Sequence, residues 1–343
     1  MNLYISGIGA VNAGLPSENE KAGGDQSREV SVIRCVEPDY KKYIDPKFAR
    51  RLSRIIKMGL YAAQMALSEA AVSVPDGIIT GTSLGCLADT GKFLNSMIEE
   101  NESLSSPSAF IQSTHNSISS QIAIATGCNG YNSTYTNRGF SFESALIDAM
   151  LQIEGNSKAG FLVGSSDEIT DELLEILTKP RFLEYSGYNF DNDLKQIFSY
   201  GEGAAYFYLT GEKTAGSYCK ITSVKTFFTP NAGDDLIKIL DDAVSFHEAD
   251  LHGVDLVLSG GYRRDEALTL SAKLSGAEVV MYKKYCGEYL TSTSYALWLS
   301  CMILKHEVDE SFIDAGKAST PGKILIMNSY ENKYTSFVTV EHV

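Results

Sequence analysis

The chain has 343 residues, 44% of them hydrophobic and 21% charged, and a formal net charge of −14. It is long enough for one large two-lobed unit or two domains with a substantial core, and its acidity argues against nucleic acid, whose binding depends on neutralising phosphates. No stretch reaches the roughly 18 uninterrupted apolar residues of a membrane span, and residues 1–14 lack the basic start and cleavage site of a signal peptide, so the expected location is the cytoplasm.

In chain order, residues 1–12 alternate and end in glycines, as a strand entering a turn does. Residues 18–39 are largely polar and read as a surface loop. At Asp45-Pro46 a capping residue and a first-turn proline open a helix, with Phe48, Leu52, Ile55, Ile56, Leu60 and Ala63 at helical spacing. Residues 77–85 (GIITGTSLG) form an apolar strand running into a Gly-rich turn, 160–164 (GFLVG) a buried strand, 171–177 a helix, and 200–209 (YGEGAAYFYL) a strand entered through glycines. Strands are expected near 220–228 and 255–259, helices at 234–244 and 291–305, and a strand pair after Lys323. Strand and helix alternate through both halves, the pattern of an α/β protein.

The segment 116–148 carries the chemistry. Asn116 leads through Gly127, Gly130 and Asn132, a Gly-x-x-Gly-x-Asn turn, into a strand whose far end is Gly139. Around it, in order, stand KFARRLSR from Lys47, GTSLG from Gly81, VGSSDE from Val163, GEGAA from Gly201 and NSY from Asn328. Together these motifs resemble the β-ketoacyl-ACP synthase family over nearly the whole chain. The resemblance implies the thiolase fold, a five-layered αβαβα body of two similar halves, here residues 1–212 and a shortened 213–343, and a normally dimeric protein. It also implies a chemistry of decarboxylating condensation by one Cys nucleophile and two His.

Aligned to that pattern, the nucleophile position is Gly139, the first His position in VDLVLSGGYRRDE is Gly260, and the second, in KKYCGEYLTSTS, is Glu288; Lys283 and Gly287 are retained. A glycine cannot be acylated, and a carboxylate at 288 would repel a developing enolate. The glycine-rich Phe gate near the C-terminus is replaced too, with Asn332 at the Phe position and Glu331, Lys333 and Tyr334 at its glycines. Members of the family without the Cys are chain-length factors, partner subunits of active synthases in type II polyketide systems. The RGFSFESAL and STHN wording is similar to partner-type homologues of aryl-polyene and flexirubin-type pigment pathways.

Other nucleophiles have little support. Cys128 sits on the turn and Ser141 just past the elbow, but no His stands in a matching motif to activate either. The six cysteines are scattered without a CxxC pair and read as reduced thiols. His115 reads as a structural or interfacial residue in a helix, and His247 and His252, five apart, suit a shared metal poorly. The Asp241-Asp242 and Glu99-Glu100 pairs read as solvated surface, and Gly201-Glu202-Gly203 as a strand turn without the Lys and Ser or Thr of a nucleotide loop. No cofactor and no metal are expected.

Lys41, Lys42, Lys47, Arg50, Arg51, Arg54 and Lys57 form a basic cluster in an acidic chain. As the wet face of an amphipathic helix it needs no function. The resemblance puts carrier-protein docking at Lys47, Arg50 and Arg51, where a phosphopantetheine-linked acyl chain would be presented. It puts the tunnel end and dimer interface at Ala109, Phe110, Ile111 and Asn116. The expected function is a non-catalytic partner of an active synthase, with acyl carrier protein as second partner and a homodimer in isolation. The alternatives are an active acyltransferase or condensing enzyme using other residues, and a homodimeric acyl- or carrier-protein-binding protein.

Overall fold

The computed structural model describes residues 2–15, 31–102, 107–179, 199–229, 251–261, 264–274, 276–308, 321–331 and 333–343. The helix expected at 234–244, Asp241, Asp242, His247 and Asn332 lie outside the described residues. In the first half run β1 (Leu3–Val11), β2 (Ser31–Ile33), α1 (Pro46–Ala49), α2 (Arg54–Glu69), β3 (Gly77–Gly81), α3 (Leu87–Glu99), α4 (Pro107–Ser113), α5 (Ser117–Thr126), β4 (Tyr131–Tyr135), α6 (Ser141–Gly155), β5 (Gly160–Asp167), α7 (Asp171–Leu177), β6 (Ser199–Gly201) and β7 (Gly203–Thr210). They are followed by β8 (Cys219–Phe228), β9 (Leu256–Gly260), α8 (Arg264–Lys273), β10 (Glu278–Met281), α9 (Lys283–Cys286), α10 (Thr293–Leu304), β11 (Lys323–Tyr330) and β12 (Tyr334–His342).

Ten strands pair in the order β10-β9-β11-β12-β8-β1-β7-β5-β3-β4. The run β1-β7-β5-β3-β4 repeats in β8-β12-β11-β9-β10: in each, the strand second in space is antiparallel to both neighbours and the outer three are mutually parallel. Among the described residues the two runs pair where Leu3 to Ile5 meet Ile221 to Cys219. The β1 glycines serve packing. A Cβ on Gly7 or Gly9 would stand 2.1 Å from the Ala66 or Ala62 carbonyl oxygen of α2, so their absence lets helix and strand backbones touch.

Burial explains which helices lie where. α10 is apolar on nearly all sides, and with α6 it fills the layer between the two five-stranded runs, packed among Leu3, Phe161, Phe207, Ile324 and Val338. A helix buried all round belongs in the middle of a molecule. α2 covers the outer face of the first run through Ile55, Met58, Leu60 and Ala63. α8 lies outside the second run, where Leu270 meets Leu325 and Met327.

Three expectations change. The helix opening at Asp45 is two pieces, because Ser53 is extended and restarts the helix while the Arg51 carbonyl turns outward to accept from Gln112 Nε2 at 2.7 Å. The strand expected over 200–209 is broken at Glu202. Its first part, β6, pairs with β2, a strand inside the stretch read as loop. His115 stands in the turn before α5 rather than in a helix. Among the described residues no helix is long and apolar enough to cross a membrane.

Candidate functional site

The site lies at the C-terminal ends of the parallel strands. After β4 the chain turns through a short 3-10 stretch, Arg138 to Phe140, into α6. Arg138 has φ 47°, a left-handed conformation unusual for a residue with a side chain. Hydroxyls hold this elbow: the Arg138 carbonyl accepts from Ser83 Oγ at 2.6 Å and Ser141 Oγ at 2.8 Å, while Asn137 N donates to Ser141 Oγ at 2.9 Å. Ser141 is therefore fully engaged as a turn-former.

The end of β11 brings the separated positions together. Asn328 lies beside Gly260, where its Oδ1 accepts from Tyr282 Oη at 3.0 Å; a Cβ on Gly260 would fall 2.5 Å from Tyr282 Oη and 2.7 Å from Asn328 Oδ1. The Ser329 carbonyl accepts from Lys283 Nζ at 2.9 Å, and the same ammonium donates to Glu288 Oε2 at 2.7 Å. Tyr330 lies against Gly139. Three consecutive residues thus touch Gly260, Lys283 with Glu288, and Gly139 in turn.

The Glu288 backbone is pinned by strand β6, donating to the Ser199 carbonyl at 2.8 Å and accepting from Gly201 N at 2.9 Å. Burial, and then the Glu288 charge, push the Tyr200 phenol up to about 12. Burial and the charges of Glu331 and Glu288 likewise raise the Tyr330 phenol.

Two fully buried carboxyls brace the site against the N-terminal end of α10. Asp167 Oδ1 accepts from Thr82 Oγ1 at 3.0 Å and Ser83 N at 2.9 Å, fixing the Gly-rich turn, while Oδ2 accepts from Thr291 Oγ1 at 2.8 Å. Glu143 Oε1 accepts from Thr293 Oγ1 and Ser336 Oγ, both at 2.7 Å. Burial raises both carboxyls above their ordinary range, partly offset by these hydrogen bonds.

All six cysteines are free and buried; burial drives the Cys35, Cys86, Cys286 and Cys301 thiols up, away from the reactive thiolate. Cys128 Sγ donates to the Pro75 carbonyl. His115 lies against Gly85.

Lys41, Lys42, Lys47, Arg50 and Arg51 are exposed. Arg54 is not part of that surface. It grips the buried Glu202 with two 2.7 Å hydrogen bonds and reaches Glu37 at 2.5 Å. Glu202 also accepts from Cys35 N and Ile169 N at 3.2 Å, tying the segments that follow β2 and β5 to the junction of β6 and β7. An acid between two glycines inside an apolar run was the only sequence signal for this pin. On α4, Phe110 and Ile111 are 56% and 61% exposed, Phe93 stands 5.6 Å from the Phe110 ring, Ala109 is half-buried and Asn116 is exposed.

Residues 27–186 match the beta-ketoacyl synthase, N-terminal domain family. None of the curated protein sequences compared with the chain matches it. Among solved structures, a type II PKS acyl-carrier protein in complex with its ketosynthase bound to the hexaketide (AntDE:AntF) is similar at TM-score 0.76 and 15% identity, covering 100% of this chain and 99% of that one. The ishigamide ketosynthase/chain length factor is similar at TM-score 0.75 and 17% identity, covering 100% of both chains. A beta-ketoacyl synthase from Burkholderia phymatum STM815 is similar at 0.75 and 14%, covering 100% and 99%. The fold is the thiolase-like α/β fold, a mixed sheet with helices on both sides.

Proposed function

We propose that the chain is a non-catalytic, chain-length-factor-like subunit that pairs with an active β-ketoacyl-ACP synthase in type II fatty-acid or polyketide-like biosynthesis, of the aryl-polyene kind. The observation that carries this reading is the state of the three catalytic positions. Gly139 faces a tyrosine, Gly260 is spanned by the Tyr282 to Asn328 hydrogen bond, and Glu288 is locked to Lys283. A site that works as a unit loses on the order of 10⁶ in rate with its nucleophile.

The similar solved structures support the partners: one is a ketosynthase/chain length factor and another pairs a ketosynthase with its carrier protein. In this reading Lys47, Arg50 and Arg51 meet the acidic carrier and its phosphopantetheine-linked chain. Phe110, with Ala109 and Ile111, reaches the end of the partner's tunnel, and Asn116 lies at the interface. The two halves meet between residues 212 and 213, and the subunit needs no cofactor of its own.

The test is intact-mass spectrometry of the purified protein incubated with acyl- and malonyl-carrier protein, alone and with a synthase carrying Cys and both His. The expected result is no acyl adduct on this chain and no decarboxylation without the synthase. A stoichiometric adduct on any Cys or Ser of this chain overturns the proposal in favour of an enzyme using other residues.

A further inference from the structure

The β11–β12 hairpin closes directly over the elbow. Tyr330 and Tyr334 are its last registered pair, their rings 6.2 Å apart, and the Tyr334 ring continues onto Phe140 at 5.0 Å and Phe228 at 5.1 Å. Gly139, buried beneath them, is not in the left-handed region, so its backbone would accept a side chain; what crowds one is the hairpin, which would have to give by a few tenths of an ångström. A Cβ placed there would stand 3.0 Å from Tyr330 Cβ and 3.2 Å from Tyr334 Cβ. Rotamer changes do not move Cβ atoms; only the backbone does. That backbone is held by Lys283 on the Ser329 carbonyl and by the pairing of β12 with β8 along its length.

We infer that the Tyr330–Tyr334 hairpin is a built-in plug that seals the elbow against a thioester, with Gly139 as the small partner that lets the plug seat. The inference rests on the synthase-like reading of the site and goes beyond it. The centre is not an open pocket that lacks a thiol but one filled by the fold's own aromatic side chains. Any acyl thioester formed in the complex is then held at the partner's nucleophile and not at this elbow.

The test introduces a reporter thiol. Because the six native cysteines are buried, native-state alkylation of the wild type is expected to be slow. Gly139→Cys and Gly139→Cys/Tyr334→Gly are exposed to iodoacetamide under native and urea-denatured conditions, with peptide mass spectrometry reading position 139 and circular dichroism reading folding. The single variant is expected to label at least about tenfold more slowly folded than unfolded, and the added Tyr334→Gly to remove most of that protection, since thiol reactivity follows exposure. A folded single variant that labels at the unfolded rate, or a double variant labelled no faster than the single, overturns the plug. If Gly139→Cys melts well below wild type, Tyr334→Gly must recover melting temperature by relieving the contact; no recovery also overturns it. The labelling needs neither carrier nor synthase, so failure here leaves the non-catalytic reading standing, and an acyl adduct on the wild type would remove that reading alone.

Discussion

Glu143 sits one helical turn beyond the elbow, fully buried, with Oε1 satisfied by two hydroxyls and Oε2 without a hydrogen-bond partner among the described residues. Burial raises its folded pKa above that of the unfolded chain. A carboxyl raised in this way contributes stability that is fully present below the unfolded value, about 4.3, and is lost as pH rises through the folded value. Glu143→Gln keeps an acceptor for Thr293 and Ser336 but removes the charge. It is therefore expected to stabilise the protein at pH 7 to 8 by on the order of 1 kcal/mol, the usual size of a single-residue effect, with the gain vanishing or reversing near pH 4. Melting temperatures of wild type and variant across that range check it, and a difference constant with pH would show that folding does not raise the Glu143 pKa. Gly139 makes the complementary point: a Cβ there would stand 3.0 Å from Tyr330 Cβ and 3.2 Å from Tyr334 Cβ, and inserting atoms into a filled site typically costs about 1–3 kcal/mol.

The element that decides which of the basic residues face solvent is the break between α1 and α2. Periodicity continues through residues 48–63, but Asp45 caps only a four-residue helix, through bonds from Lys47 N and Phe48 N, before the chain turns. The turn directs Arg50 and Arg51 to solvent beside Lys47, while Arg54, starting the next helix, points inward to Glu202. Reversing Lys47, Arg50 and Arg51 to Glu is expected to weaken carrier-protein binding several-fold at low salt and much less at high salt, because exposed charges are screened over about 10 Å at 0.1 M ionic strength. Titration of carrier protein at two ionic strengths checks this, and unchanged affinity at low salt would leave the patch a solvated surface. Arg54 is a different kind of residue. Truncating it would strand a buried carboxylate and damage the fold.

At the scale of the whole molecule, several large apolar side chains of the first half are exposed among the described residues. β4 is the terminal strand of the sheet order, and Tyr131 on it, Ile124 on α5, Leu151 on α6, and Phe110, Ile111, Leu94 and Ile98 on α4 and α3 are all exposed. An unpaired edge and exposed apolar side chains favour association. Size-exclusion chromatography is expected to give a dimer of the chain alone and a heterodimer when a cognate synthase is co-expressed. In that complex Phe110→Ala should lengthen the products and Phe110→Trp shorten them. A product distribution indifferent to both, in an intact complex, would remove the chain-length role.

The sequence by itself determined the α/β class and the ordered glycine motifs of the synthase frame, because glycine positions and apolar periodicity are local and survive in one dimension. It also showed that positions 139, 260 and 288 carry no Cys or His. What stands in their place was decided only by the tertiary structure. Glu288 pairs with Lys283 five residues away, but Lys283 is also bound to Ser329 and Glu288 to strand β6, contacts that no local pattern encodes. The Arg54 to Glu202 pin spans 148 residues, the Glu143 to Ser336 bond 193, and the seal on Gly139 comes from a hairpin near the far end of the chain. Such contacts form only when the two runs of the sheet close around α6 and α10. Packing between distant segments therefore decides what surrounds positions 139, 260 and 288.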